Sequence, residues 1–198
     1  MPSPRSSLRP PPTVALAKGT IFLNARAFVT RRFGAEAWGA LVTSLPAHAR
    51  EALAEIVAMG WYDASLQPAV YHAMQARLGR GEPSVLKDLA RFAADEDLHG
   101  IYRMFLRFAS PGYVLEKGMA YWSRFQSTGE WMVHRASPTR AAAVLRGFAT
   151  ADAAVCHYLA AYMTRMMELA GARGVRVEHV RCRARGEADC AFDGEWSG

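Results

Sequence analysis

Four side chains near the C-terminus are of types that hold soft metal ions or exchange disulfides: Cys156, His179, Cys182 and Cys190. Two β-prone runs, Val175 to Cys182 and Cys190 to Phe192, flank the polar stretch Arg183 to Asp189, and this pattern predicts a hairpin. With the register centred on Gly186, Cys182 and Cys190 oppose each other, where Cβ atoms stand about 4.5–5.5 Å apart. At that distance the two sulfurs could share a metal ion or form a disulfide. Cys156, the remaining cysteine, falls on a predicted long helix. Three thiolates and one imidazole suit zinc, at about 2.3 Å for sulfur and about 2.0–2.1 Å for nitrogen. Glu178 is the alternative fourth ligand. With all four positions filled by protein, the site would be structural and would pin the long helix to the hairpin. The competing reading is that each cysteine is a small buried hydrophobe.

The first hairpin strand carries an anomaly. By strict alternation Val175, Val177 and His179 share one face, while Val180 and Cys182 share the other. The apolar phase therefore switches between Glu178 and Val180, and a bulge there would bring His179 and Cys182 to the same side. Burial of both strand faces accounts for the pattern equally well.

The elements that must position these residues are predominantly helical. Lys18 to Asn24 reads as a short strand, with Asn24 capping a helix from Ala25 to Phe33 that stops at Gly34. Further helices are expected over 35–45, 47–59, about 65–78, 85–94 and 97–108, with Trp61-Tyr62-Asp63 as a connector. Val114 to Trp122 is a helix or strand, and strand-like segments follow near 124–126 and 130–135. The long helix runs from about Ala151 to Ala170, capped by Thr150 or Asp152, with Val155, Leu159, Met163 and Met166 on one face. Helices followed by a small antiparallel sheet, interrupted by one long helix, make an α+β plan.

The chain has 198 residues and a hydrophobic content of 51%, enough for one sizeable core and too apolar for wholesale disorder. Residues 1–13, rich in proline, serine and arginine, read as a disordered tail ahead of a single domain over 14–198. The net charge of +6 permits a nucleic acid or anionic membrane partner, but the arginines are scattered among acids, so no nucleic-acid role is expected. No apolar run of about 18 residues or signal-peptide core is present, so the expectation is a cytoplasmic protein without a membrane span. Thiols in that compartment are reduced, which favours a metal over a structural disulfide. No Gly-rich phosphate loop, nucleophile elbow or His-Glu-x-x-His pair occurs, so an enzyme is not expected.

The segment Cys182-x3-Gly186-Glu187-x2-Cys190-Ala191-Phe192 resembles the C-terminal signature of the 4-vinyl-reductase-type ligand-binding domain. That domain shares a superfamily with haem–nitric-oxide-binding domains and the Golgi-tethering TRAPP subunits. In phenol-sensing activators of this type, zinc is held by a helix cysteine, an acidic residue and two hairpin cysteines. The intervals from Cys156 to position 179, to Cys182 and to Cys190 match that arrangement, with His179 standing where the sensors carry glutamate. Lys18-Gly19-Thr20, Phe33-Gly34, Trp38, Trp61-Tyr62 and the segment Gly186 to Trp196 are similar to a paralogous family abundant in myxobacteria.

The resemblance implies a sensory or scaffolding role and a homodimer passing its signal to a separate protein. A small apolar or aromatic ligand would lie among Tyr121, Trp122, Phe125, Trp131, Tyr158, Tyr162 and Met163. The alternative is a TRAPP-like interaction scaffold with a filled core. Haem sensors of the superfamily carry a proximal histidine and a Tyr-x-Ser-x-Arg motif. Here Tyr121-Trp122-Ser123-Arg124 places the arginine one position early and His99 lacks distinguishing context, so haem is not expected.

Overall fold

A computed structural model describes residues 14–99 and 109–197. The architecture is α+β. The first half comprises β1 (Leu16–Lys18), α1 (Gly19–Phe33), α2 (Ala35–Thr43), α3 (Ala47–Ala54), β2 (Trp61–Asp63), α4 (Leu66–Leu78) and α5 (Ser84–Asp97). The second half comprises α6 (Pro111–Ala120), β3 (Glu130–Ser137), β4 (Arg140–Arg146), α7 (Ala153–Leu169), β5 (Arg173–Arg181) and β6 (Cys190–Ser197). β1 and β2 pair as an antiparallel ribbon; the other four strands form an antiparallel sheet in the order β3-β4-β6-β5.

Several boundaries differ from the sequence reading. The first strand ends at Lys18 and the helix begins at Gly19, so Asn24 lies inside α1 and caps nothing. The carbonyls of Gly60 and Ala58 take the place of a side-chain cap, accepting from the N–H groups of Gly19 (3.0 Å) and Thr20 (3.2 Å). α3 stops at Ala54, and Trp61–Asp63 is a strand rather than a connector. β4 was not anticipated at all. The helix expected over 97–108 and the disordered tail over 1–13 fall largely or wholly outside the described residues.

One core joins both halves. α5 buries Val85, Leu86, Leu89, Ala90, Ala93 and Ala94 and packs on α7, which buries Met163, Met166 and Met167 in the same core. At the rim of this contact Arg165 donates to Asp95 (2.8 and 3.0 Å), and Arg91 grips Glu168 with both terminal nitrogens (3.2 and 2.9 Å). Asp97, at the end of α5, accepts from Asn24 of α1 (3.0 Å) and from the Tyr162 hydroxyl of α7 (3.1 Å), tying three helices together. No described helix is long and apolar enough to cross a membrane.

Candidate metal centre

α7 begins where Asp152, one of the two caps the sequence offered, accepts from the Ala154 N–H (2.8 Å). Cys156 therefore sits in the first turn and a half of the helix. The hairpin approaches from the other side. After β5 a short 3₁₀ turn, Arg183–Arg185, leads to Gly186 at φ 90°, a left-handed conformation that glycine adopts without steric cost.

The register of β5 on β6 contains the expected irregularity. His179 pairs with Phe192 and Arg181 with Ala191, so Val180 is an extra residue on β5. That bulge places His179 on the same side as Cys182. Cys156, His179, Cys182 and Cys190 converge, with their ligand atoms all within 4.8 Å of one another. Cys156 Sγ lies 3.7 Å from Cys190 Sγ and 3.9 Å from Cys182 Sγ. All three cysteines are free and buried. Sulfurs around one tetrahedral zinc stand about 3.8 Å apart, the edge of a tetrahedron with about 2.3 Å bonds; a disulfide needs about 2.05 Å. The spacing is too long for a disulfide and is compatible with both thiol hydrogen bonds and metal ligands.

Electrostatics at the cluster favour a deprotonated sulfur. The Cys190 thiol is pulled down to about 4, first by the hydrogen bond from Cys156, with further help from His179, the Arg183 N–H and Cys182. The Cys156 thiol, as the donor of that bond, is pushed up. His179 acts on Cys190 from close by, but its buried Nε2 makes no hydrogen bond of ordinary geometry, a costly arrangement for a polar atom unless something is coordinated there. Glu178 occupies the opposite face of β5, exposed and paired with Arg176, and does not enter the cluster. The donor set present is three thiols and one imidazole.

The seven residues expected to surround a ligand separate into distinct environments. Tyr121 is 52% exposed and is stacked with Arg124, and Phe125 is 37% exposed. Trp122 and Trp131 meet edge to face and join Phe148 and Phe192 in a packed aromatic cluster. Tyr158 lies between Tyr71 and Tyr162, while Met163 is buried in the core. Sequence reasoning missed the buried chain in which Gln126 donates to Gln67 (2.7 Å) and Gln67 to Tyr71 (3.2 Å). Isolated glutamines carry no periodic signal, so nothing in the sequence marked them.

No protein-family model matches this chain, and none of the curated proteins does. Solved structures do match. An H-NOX protein from S. oneidensis in the Fe(II)NO state superposes with a TM-score of 0.70 at 14% identity, covering 91% of this chain and 99% of that one. The unliganded Fe(II) H-NOX protein from K. algicida gives 0.65 at 15% identity, over 91% and 97% of the two chains. The fold is the H-NOX fold. Studies of heme distortion in the H-NOX family supply further matches, at 8% identity and a TM-score of 0.66 in one case. These neighbours overturn the expectation that set haem aside, because the proteins sharing this fold were solved as iron-bearing, haem-binding domains.

Haem iron is held by histidine, cysteine, methionine or tyrosine. His48, His72, His99, His134 and His157 are all exposed, and His179 belongs to the thiol cluster. The interior offers the phenols of Tyr71 and Tyr158 and the thioethers of Met74 and Met163. Among the described residues no buried histidine lies outside the thiol cluster, and no chemical step is derived through haem.

Proposed function

We propose that this chain is a non-enzymatic small-molecule-sensing module whose hairpin is held to α7 by a structural zinc ion. The likeness to H-NOX structures, extending over 91% of the chain and 99% of the S. oneidensis protein, is the observation that carries the sensing role. The zinc ligands in this reading are Cys156, His179, Cys182 and Cys190, supported by tetrahedral sulfur spacing and the unpartnered His179 Nε2. Zinc so bound would lock the start of α7 to the end of β5, contributing to folding rather than to reaction chemistry. The C-terminal signature keeps the resemblance to the 4-vinyl-reductase-type domain within this reading, together with a homodimer that signals to a separate protein.

Haem is the group to which the neighbouring structures point, and it is the first ligand to test. When bound, haem would supply the gas-binding iron. The chain's own residues would supply a phenol or thioether rather than an imidazole. Titration with haem, read by absorbance with and without nitric oxide, is expected to give a saturable, gas-responsive band. A titration indistinguishable from free haem would remove haem from the reading.

A second reading, an interaction scaffold, is favoured by one observation: Trp122, Trp131, Phe148 and Phe192 pack against one another. Native mass spectrometry of purified protein, compared with the denatured sample, separates the alternatives. One zinc plus a small-molecule adduct supports the sensor. Zinc alone, with no adduct after exposure to haem or phenols, supports the scaffold. A metal-free spectrum of reduced protein sinks the zinc site.

A further inference from the structure

β5 is an edge strand, and among the described residues nothing pairs with its outer side. A groove of about 630 Å³ runs along it, lined by all six residues from Val175 to Val180. Successive strand residues point to opposite faces of a sheet, so both parities line one space only where that space follows the strand's free edge. The opposite wall is a stripe of α7, His157, Ala160, Ala161 and Thr164, at the spacing of a single helix face. Six strand residues span about 20 Å, the length of a short extended peptide. Ala160 and Ala161 leave room for a backbone to approach.

The charge of the lining selects the occupant. Lys87 and Arg91 of α5, Arg176 of β5 and Arg185 of the hairpin turn face the groove, against Glu178 as its one acid. Arg91 is engaged by Glu168 and Arg176 by Glu178, whereas Lys87 and Arg185 make no ion pair among the described residues. A second copy of the chain would bring the same cations against themselves, which is unfavourable for like charges across a strand pair. We propose that this edge docks an extended acidic segment of a partner protein, which adds to the sheet as a fifth strand beside β5. Backbone hydrogen bonds to the free edge would hold the segment, and its carboxylates would meet Lys87 and Arg185. The proposal deepens the reading of a separate signalling partner and requires neither zinc nor haem.

The test is fluorescence anisotropy with a labelled octapeptide of alternating glutamate and valine. Controls are the lysine–valine peptide and a glutamate–valine peptide N-methylated at alternate residues. The acidic peptide is expected to bind saturably, and both controls at least about tenfold more weakly. Lys87→Glu with Arg185→Glu, and separately Ala161→Trp, which fills the groove, should each reproduce that loss while circular dichroism stays native. Hydrogen exchange should slow at the amides of 175–180. Absence of binding, indifference to N-methylation, or protection elsewhere would overturn the proposal. So would a protein dimer that Ala161→Trp dissociates, since a second copy would then occupy the edge. Zinc content read on the same samples keeps a failed metal site distinct from a failed docking site.

Discussion

His179 stacks on Phe192 across the β5–β6 pair, with ring centroids 4.8 Å apart and planes 23° from parallel. The aromatic face holds the imidazole plane, and with it the direction of the ring nitrogens, beside the three thiols. Phe192→Leu removes that support without removing a ligand. Outer-shell losses of this kind cost about 10–100-fold in metal affinity. Competition with a chromophoric chelator is expected to show zinc affinity lowered within that range, with one zinc per chain still bound at saturation.

His179→Ala and Glu178→Ala distinguish the two residues offered as the fourth ligand. The bulge at Val180 turns His179 toward the cysteines and leaves Glu178 paired with Arg176 on the other face. His179→Ala should lose more than about 100-fold in zinc affinity, exceeding an outer-shell effect. Glu178→Ala should stay within about threefold of the parent, the scale of a surface ion pair. Equal losses in the same chelator competition would contradict the geometry.

Asp97 gives stability a pH dependence of definite sign. Burial raises its pKa more than the hydrogen bonds from Asn24 and Tyr162 lower it. The folded state therefore holds this proton to higher pH than the unfolded state. Stability from this group is fully present below the ordinary carboxylate pKa of about 4 and falls as pH rises through the elevated folded value. Asp97→Asn, which keeps the Asn24 bond and cannot ionise, should be more stable than the parent at neutral pH and equal to it near about pH 4. Urea unfolding across that range reads the difference, and a variant less stable at neutral pH would refute the assignment.

Two glycines should respond differently to the same substitution. A Cβ at Gly19 would meet the Val57 carbonyl oxygen at 2.0 Å, in the turn that caps α1. At Gly118 it would meet the Met166 sulfur at 2.6 Å, on a flexible side chain able to move aside. Gly19→Ala is expected to cost about 1–3 kcal/mol, as overpacking against fixed backbone does. Gly118→Ala should be near neutral, since the gain in helix propensity of about 1 kcal/mol offsets the displacement. Thermal unfolding of the two variants measures the contrast.

Local signals accounted for much of this protein. The phase switch in Val175 to Cys182 anticipated the bulge because strand alternation is strict and a single extra residue breaks it. Asp152 and the apolar face of α7 were legible for the same reason, since capping and helical periodicity are properties of a few neighbouring residues. The convergence of Cys156 with the hairpin followed from a family resemblance, not from spacing alone.

Other features depended on tertiary neighbours. Arg140-Ala141-Ala142-Ala143-Val144-Leu145-Arg146 is rich in alanine, the best helix former, yet it is a strand because β3 and β6 pair with both its edges. The helix start at Gly19 rests on carbonyls from the Val57–Gly60 turn, some forty positions later in the chain, which local propensity cannot report. The aromatic residues from Tyr121 to Trp131 and from Tyr158 to Met163 could be listed from the sequence, but which of them face solvent was decided by packing. Residue types and local periodicity determined most of the helices, the hairpin and the candidate donors. The path of the chain through space determined which donors meet, which edge stays open, and which aromatic rings fill the interior.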